Sequence, residues 1–261
     1  MKPMIAGLFL LLPVYLCSQT LTGLQIADRA QDAIRVKGLE AVATMKIYDD
    51  KGNVRIRKIA QISKLTDNGN TEKRLIRFLE PADVKGTGLM TFDHKDGDDD
   101  IWLYMPALRK TRRIVSSDKA KNFMGSEFSY ADMTPPTLDD FEFLLSGEKE
   151  VNGVTCYELE WIPRDEDIAD ENGFSKRITY IGKSDFVIRK AIYYDLDGEL
   201  CKELVIPEIK ELDTQLHRFR AVHLEMKNLQ NGRRSELINE KMMFNPDVND
   251  DHFTIRYLER E

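Results

Sequence analysis

Leu21–Val36 carries its apolar residues at helical spacing. Leu24, Ala27, Ala30 and Ile34 fall on one stripe, with Asp28, Arg29, Gln31 and Asp32 opposite. That pattern predicts an amphipathic helix, which Gly38 would stop. The period then changes to two. Ala41, Ala43, Met45 and Ile47 alternate with Val42, Thr44, Lys46 and Tyr48, as on a strand. Turn residues at Asp50–Asn53 and Asp67–Asn70 separate this strand from Val54–Leu65 and Glu72–Leu79. Further strands are predicted at Gly88–His94, Ile101–Met105, Lys110–Val115, Thr155–Trp161, Ser175–Ile181, Val187–Asp195, Leu200–Leu212, Leu216–Gln230 and Arg233–Phe244. Asp197-Gly198, Asn231-Gly232 and Asn172-Gly173 are hairpin turn signals. In Thr155–Trp161 the alternation is clean: Tyr157, Leu159 and Trp161 point one way, Cys156, Glu158 and Glu160 the other.

Two stretches break the meander. Ser116–Ser146 lacks strand alternation and contains Phe123, Met124, Phe128, Tyr130, Met133 and Pro135-Pro136. It ends in a helix-like Thr137–Leu145 with Thr137 as N-cap. Asp247–Leu258 is a short closing segment, helix or strand. No Ser/Gly- or Pro-rich linker divides the chain, so residues 19–261 read as one domain with a lid insert at about 116–146. A run of antiparallel strands with few helices means a large, curved sheet. Such a sheet covers its apolar face by closing into a barrel or by packing helices into its concavity. The first helix and the insert are the natural lids, and the interior beneath them is apolar space that a ligand can share.

The first eighteen residues have another purpose. Lys2 precedes an apolar run, Ile5–Leu16, interrupted only by Gly7 and Pro13 and followed by Ser18, Gln19 and Thr20. This is too short to span a bilayer comfortably and reads as an export signal, residues 1–18. Cleavage after Ser18 would place Leu16 and Ser18 at the −3 and −1 positions. Alternatively, Val14-Tyr15-Leu16-Cys17 is a loose lipobox, in which the signal is residues 1–16 and an acylated Cys17 tethers the domain to a membrane face. The expected location is the periplasm, free or anchored through Cys17.

The chain has 261 residues, with 38 Lys and Arg against 45 Asp and Glu, a net charge of −7. That balance argues against a nucleic-acid partner. Of three cysteines, Cys156 and Cys201 lie in predicted strands and could be bridged only if those strands are neighbours; two half-buried thiols is the plainer reading. Their spacing suits neither redox nor zinc chemistry.

Motifs for catalysis are weak. Four histidines are present, His94, His217, His223 and His252; His217 and His223 share a strand face but stand about 20 Å apart and read as solvated strand residues. Gly125-Ser126-Glu127 lacks the second glycine of a nucleophile elbow. A Ser126 or Ser129 nucleophile with a histidine such as His223 is the residue-level case for a lipid hydrolase. Asp93–Asp100 is acidic, but its spacing misses a calcium loop. No metal or cofactor is expected. Arg109-Lys110-Thr111-Arg112-Arg113 follows that turn directly, so cross-strand pairing is one account of it. The other is that these arginines hold a lid through hydrogen bonds to loop carbonyls, or meet lipid headgroups. The apolar candidates for contact with an acyl chain are Trp102, Tyr104, Met105, Phe123, Met124, Phe128, Tyr130, Tyr157, Leu159 and Trp161. Flexible Met and flat aromatic rings in a Gly- and Ser-containing segment suit an adaptable lid.

Ile101–Ile114 (IWLYMPALRKTRRI), followed by Phe123–Tyr130 (FMGSEFSY), resembles the LolA-like outer-membrane lipoprotein-sorting proteins. Arg77–Pro81, Lys85-Gly86, Glu225–Leu229 and Phe253-Thr254 also match. The resemblance covers nearly the whole mature chain. It implies a mainly β fold, one large antiparallel sheet forming an unclosed half barrel with helical and loop lids on its concave face. It also implies a non-enzymatic, monomeric carrier or receptor for the acyl chains of lipids or lipoproteins, sorted toward the outer membrane. The founding carriers receive cargo from an inner-membrane export complex and latch the lid with an arginine, for which Arg109, Arg112 and Arg113 are the candidates. Other relatives accompany exporters of the resistance-nodulation-division type. An accessory docked to such a transporter is therefore the alternative, and a lipid hydrolase the second.

Overall fold

A computed structural model describes residues 21–95, 97–245 and 247–260. The export signal, its cleavage point and Cys17 lie outside the described residues. The chain opens with helix α1 (Gly23–Ile34), closed at its start by a capping box. The Gln25 N–H donates to Thr22 Oγ1 at 3.2 Å, and the Thr22 N–H to Gln25 Oε1 at 2.9 Å. Strands β1 (Gly38–Tyr48), β2 (Val54–Thr66), β3 (Thr71–Glu80), β4 (Gly88–His94), β5 (Asp100–Met105) and β6 (Lys110–Arg113) form the first meander. An insert follows, beginning with the single-turn α2 (Ser116–Lys119). Then come β7 (Phe141–Val151), β8 (Val154–Pro163), α3 (Glu166–Asn172), β9 (Lys176–Gly182), β10 (Ile188–Tyr194), β11 (Leu200–Asp213), β12 (Arg218–Asn228), β13 (Arg234–Phe244) and α4 (Ile255–Leu258).

Among the described residues the thirteen strands belong to one antiparallel sheet, ordered β6-β5-β4-β3-β2-β1-β13-β12-β11-β10-β9-β8-β7. The two meanders meet where β1 pairs with β13. The sheet is not closed. Its two edges, β6 and β7, are consecutive in the chain, so the insert starts at one edge and ends at the other.

Three expectations are corrected. Thr137–Leu145 is not a helix: after one 3-10 turn at Leu138–Asp140, β7 begins at Phe141. The Leu144-Leu145 pair obscures an alternation in which Phe141 is buried and Glu142 and Leu144 are exposed, as suits an edge strand. Asn172-Gly173 is not a hairpin turn; Gly173 at φ +73° caps the unanticipated α3. The buried stripe of α1 is Ile26, Ala27, Ala30 and Ala33, while Leu24 is 46 % exposed. The small alanines sit against the sheet, and Gln31 Nε2 donates to Pro136 O of the insert at 2.5 Å. Cys156 on β8 and Cys201 on β11 are separated by β9 and β10 and are both free.

The sheet buries both faces. The main core lies on the concave side: Met45, Ile47, Ile59, Ile76, Phe78, Leu89, Leu103, Leu159 and Trp161 pack with α1 and the insert. On the convex side Leu75, Met90 and Tyr104 form a second core under Val248, Phe253 and Leu258, with Phe92 and Trp102 beside them. Arg77 pins this C-terminal cover by donating to Tyr257 O at 2.7 Å and Leu258 O at 3.1 Å.

The concave side is not uniformly apolar. Glu72 and Arg74 share the inward parity of Ile76 and Phe78 on β3, and Arg220 reaches them from β12. Glu72, 1 % exposed, accepts from Arg220 at 2.7 Å and lies 3.2 Å from Arg74. Burial opposes its ionisation, but the two guanidiniums win and hold the carboxyl at about 2. Arg35, capping α1, meets buried Asp93 at 2.5 Å. There burial dominates, and Asp93 is pushed up to about 6 against the pull of Arg35.

Glu72→Gln should destabilise the fold by about 3–5 kcal/mol at pH 7, the cost of stranding buried guanidiniums. The folded value of Glu72 lies below its ordinary 4.5, so its contribution is complete above that pH and is lost as the pH falls toward about 2. Denaturant unfolding of both proteins across that range should show the gap narrowing; a gap that is the same at both ends contradicts this assignment.

Candidate functional site

The insert leaves β6 at one sheet edge, crosses to the central strands, and returns to β7 at the other edge. Its tip is a tight loop closed by a bridge between Asn122 and Ser129, with the Phe123 N–H donating to Phe128 O at 2.7 Å and the Tyr130 N–H to Lys121 O at 3.0 Å. Met124 (φ +50°) and Gly125 (φ +74°) take the left-handed turn. This conformation turns Phe123, Phe128 and Tyr130 downward into the core, where none is more than 5 % exposed. The Phe123 ring lies 5.8 Å from Phe78 on the sheet and 5.5 Å from Tyr130.

Polar groups of β2, β3, β11, β12, β13 and two connecting turns hold the insert. Arg57 on β2 donates to Met124 O at 2.5 Å, and Arg74 on β3 to Met133 O at 2.6 Å. Glu127 is 1 % exposed. Its carboxylate meets Arg233 Nε at 3.1 Å and accepts from Asn228 at 3.0 Å, its N–H donates to Ser235 Oγ at 2.9 Å, and its carbonyl accepts from Lys202. At the returning end Thr134 Oγ1 donates to Asp99 at 2.5 Å. Burial raises the Asp99 carboxyl, and burial raises the Tyr130 hydroxyl.

The arginine cluster singled out from the sequence divides. Arg109 is exposed, in a left-handed turn (φ +47°), and its side chain makes no hydrogen bond or ion pair among the described residues. Arg113 pairs with Asp100 of the neighbouring strand, the cross-strand account. Arg112 reaches the base of the insert, meeting Asp118 at 3.2 Å. Loop carbonyls are gripped instead by Arg57 and Arg74 at 2.5 and 2.6 Å, and at longer range by Lys202 on Glu127 O at 3.2 Å and Arg233 on Gly125 O at 3.4 Å. Arg57 and Arg74 both sit at inward positions next to core residues: Ile59 follows Arg57 on the same face, and Ile76 and Phe78 follow Arg74. A charged residue at an inward position was the signal available in the sequence.

The apolar candidates also divide. Met105, Phe123, Met124, Phe128, Tyr130, Tyr157, Leu159 and Trp161 belong to the concave core or pack against it. Trp102 and Tyr104 do not. On β5 they alternate with Ile101 and Leu103, point to the convex side, and lie under the C-terminal cover. Their grouping with the lid is corrected.

The expected oily hollow beneath Phe123–Tyr130 is also corrected. The insert's own rings fill that space, and buried ionic groups lie on the same face of the sheet. An open cavity of about 710 Å3 lies at the C-terminal end of α1 and has charged walls. A second, about 20 Å3, lies between the insert and α3 beside Asp99, Asp140 and Glu171. Ser126 is fully buried and donates to Phe123 O at 2.8 Å, with no histidine among its hydrogen-bond partners. Among the described residues no three metal-ligating side chains cluster, and no helix is long and apolar enough to cross a membrane.

A family model described as an uncharacterized protein matches residues 70–260. Three solved structures are similar. An outer membrane lipoprotein-sorting protein domain from Vibrio parahaemolyticus shares 29% identity over 91% of this chain and 98% of its own, with a TM-score of 0.82. A DUF1329 family protein from Desulfovibrio piger shares 28% identity over 90% of this chain and 97% of its own, also at 0.82. A LolA superfamily protein from Nitrosomonas europaea, at 20% identity, covers 91% of this chain and all of its own at 0.67, a likeness of fold. No curated protein matches the sequence.

Arg57→Ala and Arg74→Ala should each loosen the insert. A hydrogen bond from a charged donor is worth about 1.5–3 kcal/mol, so amides of residues 123–133 should exchange roughly tenfold to hundredfold faster by hydrogen–deuterium exchange. Arg109→Ala should leave them unchanged. Equal effects from all three substitutions would refute the assignment of the latch to β2 and β3.

Proposed function

We propose that this chain, which belongs to the LolA-like outer-membrane lipoprotein-sorting family, is a non-enzymatic carrier or receptor for acyl chains of lipids or lipoproteins. The chains bind the concave face of the sheet in the place the insert occupies here, and the carrier works in the periplasm, delivering toward the outer membrane. One observation supports this reading: the apolar concave face is plugged by a segment whose tip is anchored largely through its backbone carbonyls and by the partly exposed Glu127–Arg233 pair.

The energetics favour an exchange of insert for ligand. Withdrawing a chain of about 16 carbons from water is worth about 12 kcal/mol at roughly 0.8 kcal/mol per methylene. Lifting Phe123, Phe128, Tyr130 and Met133 off the sheet costs about 1.5–3 kcal/mol each, or roughly 6–12 kcal/mol together. The two terms are of the same size, so loading and release are both accessible without a chemical step. The plug thus acts as a resident substitute for cargo. The burial of Ser126 away from any histidine argues against the hydrolase alternative.

An uncharged fluorescent acyl probe should bind the delipidated protein, and Arg57→Ala should bind it more tightly, because the closed form that competes with ligand is weakened. A titration in which neither protein binds any acyl probe defeats the carrier reading. So does an Arg57→Ala protein that binds the probe no more tightly than the parent.

A further inference from the structure

We infer that the cavity at the C-terminal end of α1 binds a phosphate group. The source that fits the carrier reading, on which this part rests, is the headgroup of an amphiphile whose tails lie along the concave face. The cavity of about 710 Å3 is walled by Arg35, Lys37, Lys95 and Arg218, with Asp32 and Asp67 among its acidic neighbours. Its size falls within the roughly 300–1,000 Å3 of pockets that hold small organic ligands. Lys95 is already committed to Asp28 at 3.0 Å and Asp32 at 3.7 Å. Lys37 and Arg218 pair with no carboxylate among the described residues, so two cations face the cavity unspent.

Deeper in, the surplus is of donors. Arg35 is 5 % exposed, gives its two terminal nitrogens to Asp93 and Gly69 O, and keeps an Nε–H with no acceptor. Arg74 and Arg220 do not line the cavity; they share the single carboxylate of Glu72 and leave the interior behind Arg35 with more positive than negative groups. Buried donors without partners are costly, and a phosphate supplies several acceptor oxygens and suits the guanidinium fork. The cavity also has an apolar side. Leu65 and Leu216 line it, and Val36 and Leu39, beside Arg35 and Lys37 in the chain, belong to a small buried cluster with Ala41, Leu212, Met242 and Phe244. A head bound at Arg35 and Arg218 therefore has apolar surface next to it.

Calorimetric titration of the purified protein with inorganic phosphate, a soluble short-chain phosphatidylglycerol and a matching uncharged monoacylglycerol tests this. In Lys37→Ala/Arg218→Ala, whose unchanged fold is checked by thermal unfolding, the phosphate-bearing ligands should bind about tenfold or more weakly, the equivalent of one charge-assisted hydrogen bond. The monoacylglycerol should bind within about twofold of the parent, since it carries no charge for these side chains to hold. Phosphatidylglycerol binding tighter than phosphate alone assigns the headgroup as ligand; equal affinities assign the free ion to the same site. The inference is overturned if the parent binds neither phosphate-bearing ligand, or if the double variant binds them undiminished. A parent that binds phosphate but no monoacylglycerol fails the carrier reading and leaves the anion site standing.

Discussion

The structure depends on one constraint: an open sheet with an apolar concave face must have that face covered. A barrel closes by pairing its first and last strands, and this sheet does not. Its edges β6 and β7 are successive in the chain, and the segment between them crosses the concavity. The cover is therefore built into the connection that would otherwise close the barrel. Helix α1 supplies the rest, with alanines against the sheet. The convex face has its own cover in the C-terminal segment, so the two faces are separate cores. Disturbing one need not dissolve the other.

The way the insert is held sets how readily it can leave. Arg57 and Arg74 grip carbonyl oxygens, neutral acceptors that water can replace when the loop lifts. A buried arginine–carboxylate pair would be far harder to part. Glu127 is the exception, with its carboxylate beside Arg233, and Arg233 is about one third exposed, so that pair sits at the margin of the core. Arg74 has a second partner in Glu72, which keeps its charge compensated when the loop carbonyl departs. The permanent ionic cluster and the temporary contact thus share one side chain.

Much of the fold was legible because strand alternation is a local property. The reading of Tyr157, Leu159 and Trp161 as one face agrees with their place in the concave core, and Gly198 and Gly232 make the turns expected of them. The resemblance in Ile101–Tyr130 pointed to the unclosed sheet. What was not legible depended on which face of the sheet a strand presents to which cover. Trp102 and Tyr104 look like lid partners until the C-terminal segment is seen to lie over them. Arg57 and Arg74 look like ordinary strand charges until the insert's carbonyls arrive above them. β7 was hidden because an edge strand with Leu144 exposed carries a weak alternation. Whether the concavity is hollow or plugged is a property of packing that no periodicity records.

The central claim is that cargo and insert compete for the same apolar face. The most direct test is the distance between spin labels at Met124 on the insert and Val54 on β2, measured by pulsed electron resonance in a background with the native cysteines replaced. The account predicts a single short distance in the lipid-free protein and a longer one once an acyl ligand is bound. A bound acyl ligand with the short distance unchanged would contradict it.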